Sequence, residues 1–314
     1  MINESTLKNK NNNILAVILA ASYTELGDLE RNLNLLQDLM EEKFEFGSTY
    51  HEYFRKAVVK SLDGTVIPGL DVCNHYVNLL GVNPNDRLLD LGCSYGRLYP
   101  VFANYTKQVF GVDVDLQVVN EANKKPYVIA IVGQAEKVAF PSNFFDHVVA
   151  WGVFDIVNQI ECLKETNRIL KTGGKFLFTA KGAHYPDSDS LAFVAERNAK
   201  LKNFPNRFID LGLLMQALPL LGFTIEQKFL FSKRGHLGLN QALNDPKEIQ
   251  TDSFYEFAAI LKKVSEPSGA SVRDWWNEFS VTAKTKAERE GFGTDVLGYF
   301  RKSFDADNAG TSNK

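Results

Sequence analysis

The feature that most limits how this chain can fold is a series of short apolar strands separated by helices. Strands are predicted at 87–91, 108–112, 127–132, 146–150, 175–179 and 223–231, and a last one at 253–263 has a pattern that also fits a helix. Helices are predicted at 96–103, 116–122, 160–170 and 209–221. Such alternation is typical of crossover units around a parallel sheet. We therefore expect an α/β, Rossmann-like, doubly wound fold with a mostly parallel seven-stranded sheet and helices on both faces.

The limits of this alternation divide the chain into three segments. Residues 70–263 contain it, with a polar insertion at about 232–251. Residues 1–69 are predicted to be an N-terminal helical and aromatic cap segment. Residues 264–314 are predicted to be a helical extension with a disordered tail. The terminal segments are expected either to close over a substrate or to form a homodimer interface through their helices.

Composition excludes several classes of protein. Hydrophobic residues make up 45% and charged residues 23% of the 314 residues, as in ordinary globular chains. A net charge of -3 gives no electrostatic reason for binding nucleic acid or an anionic membrane. The longest apolar run, residues 14–21, is about half of a bilayer span and has only a weak signal-peptide shape. We therefore expect a cytoplasmic protein without nucleic-acid or membrane partners.

Cysteine and histidine spacing predicts neither a disulfide framework nor a metal site. The three cysteines, Cys73, Cys93 and Cys162, form no CxxC motif and have no histidine at metal-ligand spacing. The histidines are far apart in sequence, and the carboxylates form no recognisable ligand cluster. We therefore expect no metal ion in the site.

The most informative segment is the glycine-containing stretch Leu88–Arg97, which runs from a strand into a helix. Gly92 and Gly96 remove Cβ atoms where the backbone must turn sharply against a ligand, and the following helix offers unpaired N–H groups to an anion. A dinucleotide fingerprint would need glycine at positions 92, 94 and 97, but Ser94 and Arg97 stand at two of them. A P-loop also fails, because no Gly-Lys-Ser/Thr closes the stretch. These residues favour a nucleotide-like cofactor of another kind.

Two acidic residues accompany the glycines. Asp90 lies just before the first glycine, and Asp113 ends the next predicted strand. A carboxylate at that strand end can accept hydrogen bonds from both ribose hydroxyls of an adenosine. Taken singly, a glycine is also explained by a tight turn and Asp113 by a helix cap. Their ordered occurrence together favours cofactor binding.

The combination of Asp-x-Gly-x-x-x-Gly with Asp113 resembles class I S-adenosylmethionine-dependent methyltransferases, in the small-molecule branch that includes ubiquinone- and menaquinone-biosynthesis-type enzymes. The resemblance covers residues 87–181, about a third of the chain. It also rests on 111–113 (GVD), 133–136 (GQAE), 145–149 (FDHVV) and 165–174 (ETNRILKTGG). Two residues depart from the family pattern, Ser94 at the usual middle glycine and Gln134 at the usual Asp.

This resemblance implies S-adenosyl-L-methionine as the cofactor. Cys93 is expected to face it as a small side chain, and Gln134 to lie near the adenine amino group. Glu165 and Arg168, three apart on a helix, are expected to form a structural pair. The implied cofactor-binding residues are Asp90, Gly92, Cys93, Gly96, Asp113, Val114, Gln134, Ala135 and Trp151.

Three residues are candidate catalytic bases near the expected acceptor pocket, beyond the carboxyl ends of the strands. His184 follows the fifth strand and is the preferred candidate, ahead of His236 in the polar insertion and Asp155 after the fourth strand. Each has a structural alternative: a solvated loop residue for His184, an exposed basic turn for His236 and a helix cap for Asp155. None completes a nucleophile triad, so acyl-enzyme chemistry has no support.

The expected function is methyl transfer to an oxygen or nitrogen of a small or medium-sized metabolite, such as a sugar or secondary metabolite. Residues 150–153 (AWGV) stand where base-modifying relatives have an Asn-Pro-Pro-Tyr/Phe type motif, which favours a small acceptor over nucleic acid. Two alternatives remain, a methyltransferase acting on RNA or protein and a cofactor-binding module without turnover.

Overall fold

The computed structural model describes residues 70–182, 207–238, 242 and 254–272. The predicted cap segment, most of the helical extension and His184 lie outside these residues. The helices are α1 (Leu70–Asn78), α2 (Tyr99–Phe102), α3 (Leu116–Ala122), α4 (Gln159–Ile169) and α5 (Leu211–Leu220). The strands are β1 (Leu88–Leu91), β2 (Val109–Asp113), β3 (Ile129–Val132), β4 (Phe145–Ala150), β5 (Leu170–Lys181), β6 (Phe223–Phe231) and β7 (Glu256–Lys263).

All seven strands form one sheet in the order β3-β2-β1-β4-β5-β7-β6. The pairs from β3 to β5 are parallel, whereas β7 runs antiparallel between β5 and β6. The prediction of a mostly parallel seven-stranded sheet is therefore confirmed. Because β7 is antiparallel to both neighbours, β6 points the same way as the parallel strands, and its end lies at the same edge as theirs.

The strands are apolar because both faces of the sheet are covered, as parallel sheets require. Every residue of β1 and β3 is buried. On one face, Leu88 and Val109 pack in a cluster with Tyr76 of α1 and Val119 of α3. On the other face, the ring of Phe110 contacts the rings of Phe140, Phe144 and Phe145 at centroid distances of 5.7, 5.5 and 5.4 Å.

Several predicted boundaries are wrong. The helix expected at 96–103 is confined to Tyr99–Phe102, because the backbone at Gly96 still has a positive φ of 75°. The expected turn at 171–174 lies within β5, since Leu170 already pairs with Phe145 before the register shifts. The helix alternative for 253–263 is also wrong, because β7 pairs with both β5 and β6.

At the amino edge, formed by the amino-terminal ends of the parallel strands, a buried lysine ties three elements together. Lys263 is 0% exposed, and its Nζ donates to Asn143 Oδ1 at 3.0 Å, Asn167 O at 2.8 Å and Leu170 O at 3.0 Å. The same ammonium lies 2.6 Å from a carboxylate oxygen of Glu266. Lys263 therefore joins the end of β7 to the end of α4 and the start of β5.

Further contacts between charged and polar side chains connect other parts of the amino edge. Asp146 Oδ1 accepts from Lys171 Nζ at 2.6 Å, and His147 Nε2 lies 3.2 Å from Asp86 Oδ2. Arg168 is paired with Glu165 at 2.9 Å, as expected for residues three apart on a helix. No helix among the described residues is long and apolar enough to cross a membrane.

Candidate active site

The sequence-predicted cofactor residues lie around the carboxyl edge, where the parallel strands end side by side. Leu91 at the end of β1 pairs with Val112, and Asp113 at the end of β2 pairs with Val132. The loop after β1, residues 92–98, is called the glycine loop below. This register brings the glycine loop, Asp113 and the residues after β3 into neighbouring positions.

The glycine loop has an unusual backbone that its own hydrogen bonds hold. Gly92 and Cys93 both donate their N–H groups to Val112 O, at 2.7 and 2.9 Å. The φ angles of Gly92 and Gly96 are +80° and +75°. Ser94 has a φ of +50°, a left-handed conformation that glycine adopts at less cost. This explains physically why the family pattern has glycine at the position of Ser94.

Neighbouring protein atoms, rather than open space, surround the two glycines. A Cβ on Gly92 would collide with Val153, and one on Gly96 would lie 2.7 Å from Lys125 Cδ and 2.9 Å from Tyr127 Cε2. A side chain at Gly96 would therefore first displace Lys125 and Tyr127. The helix expected to follow the glycines directly begins only at Tyr99 and is a single turn, and an anion contact there stays a prediction.

Asp113 joins the glycine loop to the end of β2. Its Oδ2 accepts from Ser94 N at 2.8 Å, and its Oδ1 accepts from Asp115 N at 3.1 Å. A carboxylate oxygen has two acceptor sites, so each oxygen retains capacity for one ribose hydroxyl. Burial raises the pKa of Asp113 to about 6, although these N–H groups lower it. The helix-cap alternative is wrong, because Asp115 caps α3.

Asp90 lies beneath the glycine loop with 1% of its surface exposed. Its Oδ2 accepts from the Tyr127 hydroxyl at 2.7 Å. Burial raises the pKa of Asp90 to about 7, the Tyr127 hydrogen bond and the Arg97 charge lower it, and the Asp113 charge raises it. The site therefore holds two acids that titrate near neutral pH, which is typical of functional sites.

The Cys93 side chain points into the protein core. Its Sγ would be 2.9 Å from a Cβ built on Gly111, and the residue is 2% exposed. Burial raises the pKa of its thiol well above the usual range. The role of this side chain toward the cofactor stays a prediction.

The remaining cofactor candidates occupy neighbouring strand ends. Val114 is partly exposed directly after β2, and Gln134 and Ala135 follow β3, where Gly133 N donates to Asp113 O at 2.9 Å. Trp151 follows β4, and its ring lies 5.7 Å from that of Tyr76 of α1. Their contacts with a cofactor stay predictions.

Beyond the ends of β4 and β5, at the same edge, Asp155 forms an ion pair with Lys181. Its Oδ2 lies 3.0 Å from Lys181 Nζ at the end of β5, and its backbone O accepts from Arg207 N at 2.6 Å. The cap alternative for Asp155 is wrong, because the side chain of Asn158 caps α4. Asp155 as a base stays a prediction.

His236 lies in a loop that continues from β6 at the same edge. Its Nδ1 is 3.3 Å from Ser232 Oγ. Glu256, the first residue of β7, accepts from Gly235 N at 3.0 Å and from Leu237 N at 2.8 Å. The loop is therefore fixed to the sheet, and His236 is partly buried rather than fully exposed.

Sequence reasoning missed the side chains that support the glycine loop from the connection between α3 and β3. Lys125 Nζ donates to Tyr95 O at 2.8 Å, and Tyr127 binds Asp90. Nothing local indicates these contacts, because 37 residues separate Tyr127 from Asp90. The sequence predicts Tyr127 only as the first residue of a strand at 127–132, whereas the strand begins at Ile129.

Comparison with known proteins agrees with this geometry. Residues 89–178 match the family model described as a methyltransferase domain. The ubiquinone/menaquinone biosynthesis C-methyltransferase of Cupriavidus taiwanensis is 32% identical over 106 residues, covering 31% of this chain and 44% of that protein. This region is a class I S-adenosylmethionine-dependent methyltransferase domain. The sequence-based identification of that domain class, with its cofactor, is confirmed.

Two further similarities were found. The phosphoethanolamine N-methyltransferase of Triticum aestivum is 25% identical over 144 residues, covering 43% of this chain and 28% of that protein. The chain therefore spans less than half the length of these relatives. A chain from the complex of the Haloferax volcanii Trm112 methyltransferase activator with a methyltransferase has a TM-score of 0.52 at 15% identity, covering 69% of this chain and 98% of that chain. This likeness shows a shared fold.

Proposed function

We propose that the chain transfers a methyl group from S-adenosylmethionine to an oxygen or nitrogen of a small or medium-sized metabolite. The observation that best supports this proposal is a hydrogen bond of 2.8 Å, which Ser94 N donates to Asp113 Oδ2. It connects the glycine loop to the acid at the end of β2. The proposed cofactor contacts are those at Asp90, Gly92, Cys93, Gly96, Asp113, Val114, Gln134, Ala135 and Trp151.

The residues present fit an adenosine. Asp113 has an acceptor site open on each carboxylate oxygen, which suits the paired ribose hydroxyls. Gln134 provides an amide within reach of an adenine edge, because its strand neighbours β2. Asp90 and Asp113 supply negative charge for a cofactor that carries positive sulfonium and ammonium groups.

The cofactor supplies an activated methyl group, and the chain must provide binding, orientation and proton transfer. The chain has to hold the acceptor atom about 3 Å from that methyl, exclude water and remove a proton where the acceptor carries one. Asp155 would act as base only by giving up or sharing Lys181, whereas the imidazole of His236 carries no such ion pair within the described residues. We rank His236 above Asp155 on this ground. His184 stays a candidate outside the described residues.

The proposed acceptor atom differs from that of the C-methyltransferase relative and includes that of the N-methyltransferase relative. The relatives' names specify carbon in one case and nitrogen in the other. A proton leaves when a hydroxyl, a protonated amine or a carbon is methylated, so a base is compatible with all three, and identifying the methylated product decides among them. Methylation of carbon, RNA or protein would be an outcome that contradicts the proposal.

The experiment is a transfer assay with methyl-labelled S-adenosylmethionine and separate pools of metabolites, RNA and protein. The full chain should label the metabolite pool, and Asp113→Ala should not. Label in RNA or protein would favour a macromolecular acceptor. Cofactor binding without label in any pool would indicate a binding module without turnover.

Three further proposals concern the metal requirement, the location of the acceptor and the oligomeric state. Turnover should need no metal ion, and activity abolished by a chelator and restored by magnesium would contradict this. The acceptor should be a free metabolite in the cytoplasm rather than nucleic acid or a membrane component. Dimerisation through the terminal helices would show as a mass in solution of twice that of the chain.

A further inference from the structure

A three-residue segment before β3 supports the glycine loop at several points. Lys125 Nζ donates to Tyr95 O at 2.8 Å, and Pro126 O accepts from Tyr99 Oη at 3.0 Å. The ring of Tyr127 lies 4.8 Å from the ring of Tyr99 and fills the space next to Gly96. The Tyr127 hydroxyl makes a further contact by donating to Asp90 Oδ2, and Asp90 is an acid whose charge can change with pH.

We propose that Tyr127 is a positioning residue for cofactor binding, because its hydroxyl orients and stabilises the charged Asp90 carboxylate beneath the glycine loop. This inference rests on the proposed function. The bond is 2.7 Å long and buried, where a hydrogen bond to a charged group is stronger than in water. Burial and the Asp90 charge raise the pKa of Tyr127 above its usual range, so its hydroxyl stays protonated and donates.

Every titratable group around Asp90 bears on its charge. Arg97 of the glycine loop favours the carboxylate, whereas Asp113 of β2 disfavours it. The thiols of Cys73 on α1 and Cys93 also interact with Asp90, and burial keeps both protonated by raising their pKa. Among the described residues, Tyr127 is therefore an uncharged donor that favours the ionised form of Asp90 against the effect of burial. Because Asp90 titrates near pH 7, losing this donor should change its charge under physiological conditions.

Tyr127→Phe tests this directly, because it keeps the ring against Gly96 and Tyr99 but removes the donor. Tyr99→Phe is the matched control, since it removes the hydroxyl that binds Pro126 O and leaves Asp90 untouched. Affinity of the full chain for S-adenosylmethionine would be measured by calorimetry from about pH 6 to pH 9 for all three proteins. Thermal unfolding and circular dichroism would verify that each variant is folded.

The parent should lose affinity as the pH falls through the pKa of Asp90. Tyr127→Phe should raise that midpoint by about one to two pH units, which makes binding near pH 7 roughly 5- to 50-fold weaker. At about pH 9 its affinity should return to within about threefold of the parent. Tyr99→Phe should keep the parent midpoint.

Two results would overturn the assignment, and they differ from failure of the proposed function. A folded Tyr127→Phe protein with the parent midpoint would show that the hydroxyl does not act on Asp90. An equal loss of affinity at every pH would show a purely structural role. If the parent itself binds no cofactor at any pH, the proposed function fails as well.

Discussion

The two edges of the sheet treat their charged groups in opposite ways. At the amino edge, the acids described above each have a cationic or ionisable partner: Asp146 with Lys171, Asp86 with His147 and Glu266 with Lys263. On the cofactor side of the carboxyl edge, the hydrogen-bond donors to Asp90 and Asp113 within the described ranges are neutral, a phenol and backbone N–H groups.

We infer from this difference that the amino edge stabilises the fold, and it supports the proposal that the carboxyl edge binds the cofactor. The acids at the amino edge already have protein partners, so they need no ligand to compensate them. Asp90 is buried and Asp113 is partly buried, both with only neutral donors, and their raised pKa values reflect the cost of ionising them there. A ligand that brings hydroxyl donors and positive charge would recover it. Variants of the two edges should therefore separate stability from binding.

The largest effect is expected at the amino edge, from Lys263→Met. It leaves Asn143 Oδ1 and the carbonyl oxygens of Asn167 and Leu170 without their donor. At about 1–3 kcal/mol for each unsatisfied acceptor, we expect the free energy of unfolding to fall by about 3–5 kcal/mol. Denaturant titration measures this. Lys262→Met, at the exposed neighbouring position, is the control and should stay within about 0.5 kcal/mol of the parent. Equal effects of the two substitutions would remove the structural role of Lys263.

The next effect is on binding, from Asp113→Ala at the carboxyl edge. Loss of two charge-assisted ribose hydrogen bonds, each worth about 1.5–3 kcal/mol, should weaken cofactor affinity by at least about a hundredfold. Calorimetry measures the affinity. Asp146→Ala removes a carboxylate at the other edge and should leave affinity nearly unchanged. Comparable affinity losses in both variants would erase the contrast between the edges.

Asp90→Asn should have a smaller effect on stability than Lys263→Met, and it should stabilise the protein rather than destabilise it. Folding raises the pKa of Asp90 from 3.8 to about 7, so the folded state binds the proton of Asp90 more tightly than the unfolded chain does. This contribution to stability is fully present below about pH 3.8 and is lost as the pH rises toward 7. Asp90→Asn should therefore stabilise the unliganded protein above about pH 7, by roughly 1–3 kcal/mol, while weakening cofactor binding. Denaturant midpoints at about pH 5 and pH 8 would measure this, and a loss of stability at the higher pH would contradict it.

The smallest effect concerns His147 at the amino edge. Burial lowers the pKa of His147 and Asp86 opposes this, so the folded state holds the neutral imidazole more readily than the unfolded chain does. The resulting stability is present above about pH 6.5 and is lost as the pH falls through the folded pKa. His147→Gln should flatten this part of the profile of thermal midpoint against pH. An unchanged acid slope would show that other groups cause it.

The sequence predicted the parts of this structure that depend on local pattern. The strands and the positions of Gly92, Gly96 and Asp113 follow from hydrophobic runs and turn residues, and the sheet confirms the class of fold. The short α2 was not predictable, because the positive φ at Ser94 and Gly96 delays the helix. The partners of Asp90 and Asp155 depend on contacts with residues distant in the chain, for which a sequence pattern contains no signal.

The central claim, that the cofactor binds at Asp90 and Asp113 on the carboxyl edge, is tested most directly by counting protons. Calorimetry of S-adenosylhomocysteine binding near pH 6.5, in two buffers with different ionisation enthalpies, gives the number of protons exchanged. Binding at ionised Asp90 and Asp113 should release about 0.3 to 1 proton, and the release should vanish at about pH 9. Binding that releases no proton near pH 6.5 would contradict the account.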